Sequence, residues 1–523
     1  MKTLLHTAYN VIFKALLALV IVLFSYVIYQ EISGVYDHSY WSSHRMFFSY
    51  ALANADTLYS SPKGGLFIYH LYGPVFPAFF LPATLFFEGR TVVNAGAILS
   101  FIYVFGAATI WYFLMAGRTQ NISRNWRSVT VGWILLLFAF YCDPAIKYVG
   151  FNVHADSVAL SLGMLGLVFS GLYLNKGSLA CLFISGMLIA LAVFTKQTTL
   201  LFALVPIVMI LFKGISFKTI RDAGLFLFPL LIFGTIFAWK YGPDLLYINM
   251  VSMAKHHPLR IYIYGMDNLY LNPDVFSIIS AGQSFMDKTV ILAENLLYIL
   301  KSHWFILTLS IIFLFDRPTE CQSRFTGILK RILGFTICVM MIASLLGISK
   351  AGGDINSMAY FVFPVFVLLS NHVTHWLQRN SIHPVVFILL LLIPIGVLAG
   401  RAYKLYGYAR DKPDTTLGDR VFEFCRVNPG LAYFPTRNFE QFRAEGAIYP
   451  VSDTLFNFDL ARIELDTGVY EDILPKNVKF VVIDNNEPGY VSIVKAYKSF
   501  ENDILVVSFE EFEELVSSSG MRF

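Results

Sequence analysis

Two carboxylates and a lysine stand where an apolar chain would leave a membrane. Asp37 lies in SGVYDHSYWSSHR, residues 33–45, directly after the apolar run Val11–Tyr29. Asp156 lies in FNVHADSVALSLGML at the mouth of another apolar run, and His154 precedes it closely. Lys196 lies in AVFTKQTTLLF, between two apolar runs joined by almost no loop. Two acids on separate elements at one depth can divide labour. One serves as a base, or holds a metal ion or a sugar hydroxyl, while the other positions a second substrate. Each acid also suits a plain helix N-cap. A lysine at headgroup depth suits an anion such as a phosphate, and equally suits a long side chain snorkelling to the interface. His38 and His44 fit either a divalent metal or interfacial aromatic packing. In KAGGDINSMAYFVFP, residues 350–364, Asp354 and Asn356 fit a sugar hydroxyl, although turn chemistry alone accounts for the glycines.

The elements that must position these groups follow from composition. Of 523 residues, 56% are hydrophobic and 14% charged, against roughly 25% charged in soluble proteins. Apolar runs recur from Val11 to Gly400, whereas residues 401–523 are rich in charge. This predicts a polytopic α-helical membrane domain over 1–400 and a small soluble α/β domain over 401–523. Twelve apolar windows are present, but LYGPVFPAFFLPATLFF carries Pro74, Pro77 and Pro82, each of which removes a backbone donor. Read as an interfacial or re-entrant segment of an external loop over 30–91, it drops out and about eleven spans remain. Lys2, Arg118, Arg124, Arg127, Lys176, Lys213, Arg324, Lys330 and Arg379 then fall on one side, as the positive-inside rule requires. That topology puts the N-terminus in the cytoplasm and the C-terminal domain outside. Asp37, Asp156, Lys196 and Asp354 share the outer face, as do the cations Arg45, Lys63, Lys147, Lys255, Arg260 and Lys350. Polar groups gathered at one membrane surface point to a site built there.

Other signals are weaker or negative. The net charge of +4 is small and scattered, which argues against nucleic acid. Cys142, Cys181, Cys321, Cys338 and Cys425 show no CxxC spacing. The basic start followed by a long apolar run reads as a retained signal anchor. The segment 241–288, aromatic and containing KHHPLRIYIYG, reads as a second external loop able to close over a lipid. The Asn121-Ile122-Ser123 sequon falls inside by this topology. In the C-terminal region GLAYFPT, AIYPVSD, KFVVIDN and ILVVSF read as strands and SFEEFEELVSSSG as a helix.

The ordering of these features over the first 400 residues resembles the GT-C superfamily of integral membrane glycosyltransferases. More narrowly it is similar to the branch of protein O-mannosyltransferases and the lipid A aminoarabinose transferase. An acid follows the first span (Asp37), then an aromatic, proline-broken segment from Tyr69 through Tyr72 to Pro82. A second acid opens a later span in HADS, a lysine follows in FTKQT, and a Gly-rich turn in KAGGDIN. Departures are His38 where an acidic pair is usual, and His154 where an arginine is usual.

The resemblance implies a hexosyl- or pentosyltransferase that takes its sugar from a polyprenyl-phosphate donor. The acceptor would be a hydroxyl of a glycan, lipid or protein outside the cytoplasm, with inversion at the anomeric carbon. On that reading Asp37 orients or deprotonates the acceptor and Asp156 holds donor sugar or acceptor. Lys196, with Arg45 and Arg260, stabilises the leaving phosphate, while His154, Tyr72, Asp354 and Asn356 line the substrate. A metal is neither required nor excluded. The alternative is a transporter or flippase of a lipid-linked or small solute, which favours polar groups at the bilayer midplane and repeated halves. A polysaccharide ligase or a non-catalytic scaffold would also be membrane-embedded.

Overall fold

The computed structural model describes residues 2–55, 58–59, 71–116, 122–262, 283–315, 324–350, 353–379, 384–410, 416–449, 474–475, 477–483 and 504–519, with Asn457 and Tyr497. From the N-terminus, α1 (Lys2–Ser33) is followed by a short α2 (Val35–His38), α3 (Tyr40–Ala55), α4 (Val75–Phe86) and α5 (Thr91–Ala116). Next come α6 (Ile122–Cys142), α7 (Pro144–Phe151), α8 (Ala155–Lys176) and α9 (Leu179–Val193). A 3-10 turn at Gln197–Leu200 leads into α10 (Leu201–Leu211) and α11 (Phe217–Tyr241). Short helices α12 (Pro243–Tyr247) and α13 (Met253–His256) flank a π-turn at Ile248–Ser252. Helix α14 (Phe285–Phe315), α15 (Arg324–Ser349), a 3-10 turn at Ile355–Met358, α16 (Ala359–Arg379) and α17 (Pro384–Arg410) complete the bundle.

The chain is a polytopic helical membrane protein. Among the described residues, eight helices are long and apolar enough to cross a membrane: α1, α5, α8, α11, α14, α15, α16 and α17. Helices α6 and α7, bent by 88° across Asp143, make a ninth when taken as one span. The other two expected spans are shorter: α9 has 15 residues, and the apolar helix Gln197–Leu211 falls in the same class. Both fall short of the ~20 residues a bilayer core needs. They are short because the chain turns back between them at Phe194–Lys196, where backbone carbonyls bond outside the helix. The Gly73 and Val75 amides donate to Thr195 O and Phe194 O at 3.0 and 3.1 Å.

The proline-rich window, read as an interfacial or re-entrant segment, contains the helix α4. Pro74 is the N-cap of α4 and Pro77 lies in its first turn, where amides have no helical partner to lose. Pro82 lies inside, and beside it the Tyr103 hydroxyl donates to Phe79 O at 2.7 Å. Its 12 residues reach about 18 Å, too little to cross. Of the second loop, 263–282 lies outside the described residues.

Helix α17 runs past the expected domain boundary at 400, because Arg401 is anchored on Glu31 of α1 at 2.9 Å. Beyond it, α18 (Leu417–Val427), β1 (Ala432–Tyr433), α19 (Asn438–Glu445), β2 (Phe480–Ile483), β3 (Leu505–Ser508) and α20 (Phe509–Ser518) form a small α/β unit. The sheet is parallel in the order β1-β2-β3, with Tyr433 opposite Val481 and Val481 opposite Val506. Phe424, Phe434, Phe480 and Phe512 fill its core. Capping boxes at Thr416 and Ser508 start α18 and α20. Three of the expected strand runs contain β1, β2 and β3, whereas the described part of AIYPVSD, 447–449, is in no strand. The unit docks on α3, with Phe442 against Phe47 at 5.8 Å and Phe439 against Tyr50 at 5.6 Å.

Candidate functional site

Asp156 is the hub of the site. It opens α8, is completely buried, and both its oxygens are occupied. Lys196 Nζ lies 2.7 Å from Oδ1 and donates to Oδ2 at 2.9 Å. Asn356 Nδ2 donates to Oδ2 and the Tyr360 hydroxyl to Oδ1. A carboxylate with no exposed surface and these donors holds other side chains in place. It is not available for the direct sugar contact expected of it. Nor is Asp156 an N-cap: His154 is, with Nδ1 accepting from the Asp156 amide at 3.1 Å. That bond fixes an unprotonated Nδ1. Burial first, and the Arg45 guanidinium second, push His154 down to about 3, against the pull of Asp156, whose Oδ2 lies 3.1 Å from Nδ1.

The lysine is the exposed member of this cluster, its side chain retaining 15% of its surface. Residue 196 has extended backbone, φ −152° and ψ 121°, between α9 and the 3-10 turn. Its ammonium faces the Tyr72 ring, 5.9 Å from the centroid, and Tyr72 meets the His154 ring at 6.2 Å. Tyr72 is held there by backbone pairing of the YGP stretch with the end of α9. The approach is so close that a Cβ on Gly73 would fall 1.9 Å from Phe194 O, so only glycine fits. Lys350, just past α15, is a second cation in electrostatic reach. Burial, and then the charge of Lys196, hold its pKa below the ordinary lysine value.

The remaining expected residues brace this cluster. Arg45 is buried and donates to Val153 O at 3.2 Å, fixing the approach to His154. Arg260 donates to Gly353 O at 2.6 Å, and Leu259 bridges to Lys350. Asp354 caps the 3-10 turn that carries Asn356, with Tyr262 OH at 3.5 Å. Arg260 and Asp354 thus reach Asp156 through the Lys350–Met358 segment, by way of Asn356.

Asp37 lies on α2, and its side chain and that of His38 lie outside the described residues. Its helix is tied to the cluster: Ser39 caps α3, and the next turn's Ser42 accepts from the Val153 amide at 3.2 Å. Asn94 of α5 accepts from the Tyr36 amide at 3.3 Å. Lys63 and His70 lie outside the described residues. Among the described residues no three of His, Cys, Asp and Glu gather as a metal-ligand set.

Sequence reasoning missed Tyr360. A signal was present, because Asn356 and Tyr360 are four apart and therefore share a helix face behind an Asp N-cap.

No family model and no curated protein matches the chain. Solved structures do. ArnT from Cupriavidus metallidurans, bound to undecaprenyl phosphate, is 13% identical at a TM-score of 0.43, covering 98% of this chain and 95% of that one. The apo Archaeoglobus fulgidus oligosaccharyltransferase is 14% identical at a TM-score of 0.40 over 77% of this chain. The chain spans 59% of the length of that protein.

Proposed function

We propose that the protein is a membrane glycosyltransferase moving a sugar from a polyprenyl-phosphate carrier to an acceptor hydroxyl on the extracytoplasmic face. The observation that carries this reading is a pair of cations, Lys196 between the short apolar helices α9 and α10 and Lys350 just past α15, a helix of membrane-spanning length. One of them is held on a buried carboxylate and faces Tyr72. A phosphate leaving group is a weak base and needs a fixed cation more than an acid. The acceptor oxygen attacks the anomeric carbon as the bond from that carbon to the phosphate oxygen breaks. The electron pair leaves with polyprenyl phosphate, toward Lys196 and Lys350. The hydroxyl proton passes to Asp37, and in-line attack inverts the anomeric centre. Asp156 acts through Lys196 as a positioning residue, with Asn356 and Tyr360 keeping it aligned. Tyr72 and His154 supply the wall of the sugar pocket. The distribution of basic loops supports a cytoplasmic N-terminus. A transporter would draw on polar groups at the bilayer midplane. Here they stand at helix ends.

The test is turnover of radiolabelled polyprenyl-phosphate hexoses and pentoses by the purified protein in lipid, with membrane extract as the source of glycan, lipid and protein acceptors. We expect transfer with one donor, reduced ~10²–10³-fold by Lys196→Ala and ~10²–10⁴-fold by Asp37→Asn. Turnover untouched by Asp37→Asn would remove the base from that residue. No turnover with any donor, accompanied by lipid or solute flux, would overturn the reading in favour of a transporter.

A further inference from the structure

A second charged cluster takes no part in that reaction. Glu31, in the last turn of α1, accepts through Oε1 from Lys147 Nζ at 2.7 Å, Arg401 Nε at 2.9 Å and Tyr141 OH at 3.1 Å. Two cations therefore share one carboxylate at Glu31. Both remain partly open, Lys147 at 29% and Arg401 at 34% of the side chain. Asp143, one turn before Lys147, accepts from the Ile146 amide at 2.9 Å and stands 3.9 Å from His303. An ammonium has three donors and a guanidinium five, so both cations keep N–H groups for a second anion.

Two cavities flank this cluster: Glu31 and Lys147 line one, and the other ends at Ile28 and Leu398, each three residues before Glu31 and Arg401. On the side of the C-terminal domain is a cleft of about 290 Å³, walled by Glu31, Gly34, Val35, Ser39, Lys147 and Tyr148. On the bilayer side is an apolar groove of about 570 Å³ between α1, α5, α6 and α17, lined by Phe24, Ile28, Phe101, Phe105, Trp133 and Leu398. Ile28 of the groove lies one helical turn below Glu31. Phe151 of the cleft packs on Phe101 and Phe105 at 5.6 and 5.8 Å. Along α1 the groove runs from Val20 to Ile28, about 12 Å at ~1.5 Å per residue. That is roughly half of a ~30 Å hydrocarbon core, or one leaflet.

We propose that cleft and groove together bind one anionic glycerophospholipid of the leaflet facing the C-terminal domain. Its acyl chain lies in the groove and its phosphate on Lys147 and Arg401. The groove's depth suits an acyl chain, whereas a polyprenyl chain is several times longer. The N–H groups of Lys147 and Arg401 beyond those taken by Glu31 select an anionic headgroup. The cleft wall Gly34, Val35 and Ser39 brackets Asp37, so the lipid braces the element carrying that acid. Any effect on turnover rests on the function proposed above. Binding itself does not.

The experiment is native mass spectrometry of the full-length protein taken from bilayers of phosphatidylglycerol and phosphatidylcholine in equal parts. One retained phosphatidylglycerol is expected, with retention falling about fivefold in Lys147→Ala or Arg401→Ala. Lys147→Arg should keep it, and Ile28→Trp, which fills the groove and spares the charges, should lose it. Thermal melting of each variant separates lost lipid from lost fold. Equal retention of both headgroups, retention unchanged in the folded variants, or a polyprenyl phosphate retained in its place would overturn the proposal. Headgroup-selective retention in a protein with no transferase activity would leave this site standing and remove the proposed function alone.

Discussion

Asp156 and Glu440 are both wholly buried carboxylates, and they are treated in opposite ways. Asp156 collects Lys196, Asn356 and Tyr360 on its two oxygens. Glu440, on α19 where the C-terminal unit meets α2, has no hydrogen bond of ordinary geometry on either oxygen among the described residues. The Tyr36 hydroxyl is the donor beside it, and Arg437 and Arg443 act only through space. A buried carboxylate without partners meets the cost of burial by holding its proton, and burial indeed raises the Glu440 pKa above its ordinary value. The difference separates a charged lock, built to fix a cation, from a neutral contact that joins two parts of the chain. Each variant below removes one feature of that contrast.

The largest effect is expected at the charged lock. Asp156→Ala leaves Lys196 without its counter-charge and strands Asn356 and Tyr360 in a buried space. Breaking a buried pair from one side costs about 3–5 kcal/mol. Thermal unfolding in lipid nanodiscs should show the loss, and donor turnover should vanish even where folded protein survives at low temperature. Tyr360→Phe removes one of several donors and should cost about 1 kcal/mol. If Asp156→Ala melts like wild type, the carboxylate is not the hub, and the alignment of Lys196 must come from the α9 turn alone.

The ordering of spans, the acid and lysine at helix mouths, and the small α/β unit were legible in the sequence. Runs of high hydropathy report burial in lipid directly. What was not legible depends on contacts far apart in the chain. Nothing local to FNVHADS tells that Asp156 will be sealed by Lys196, 40 residues on, and Asn356, 200 residues on. The short reach of α9 and α10 likewise follows from a turn held by Gly73 and Val75, which no window of hydropathy contains. The prolines of α4 are accommodated for a more local reason, since Pro74 and Pro77 occupy positions where a missing N–H costs the helix nothing. Glu440, in NFEQFRAE, reads as an ordinary solvated helix charge until the docking surface beneath it is known.

The neutral contact should break under crowding. A Cβ on Gly418 would lie 2.3 Å from the Tyr36 hydroxyl oxygen and 3.2 Å from Glu440 Oε1. Gly418→Ala therefore forces apart α18, α19 and α2, at about 1–3 kcal/mol. The effect should appear as faster proteolysis of the C-terminal unit, with the helical bundle melting as before. Combining it with Tyr36→Phe removes the atom in the way, so the double variant should recover part of the loss instead of summing the two. Strict additivity would mean that the hydroxyl and the new methyl never meet.

The smallest effect, and the one that tests the protonation state, is that of Glu440→Gln. Burial raises the folded-state pKa above 4.5, with Arg437, Arg443 and the Tyr36 hydroxyl offsetting only part of it; Asp419 faces Tyr36 as a further negative charge. The folded chain then holds this proton more tightly than the unfolded chain does. Its contribution to stability is complete below the unfolded pKa near 4.5. It is lost as pH rises through the folded value. Docking of the C-terminal unit in the wild type should weaken over that rise, read by protection of residues 417–445 in hydrogen exchange. Glutamine keeps the shape and never ionises, so the variant should show a flatter profile and a gain of about 1 kcal/mol at neutral pH. A loss at neutral pH would mean the carboxylate is ionised and held by Arg437 and Arg443. Glu440 would then be a second charged lock of the same kind as Asp156.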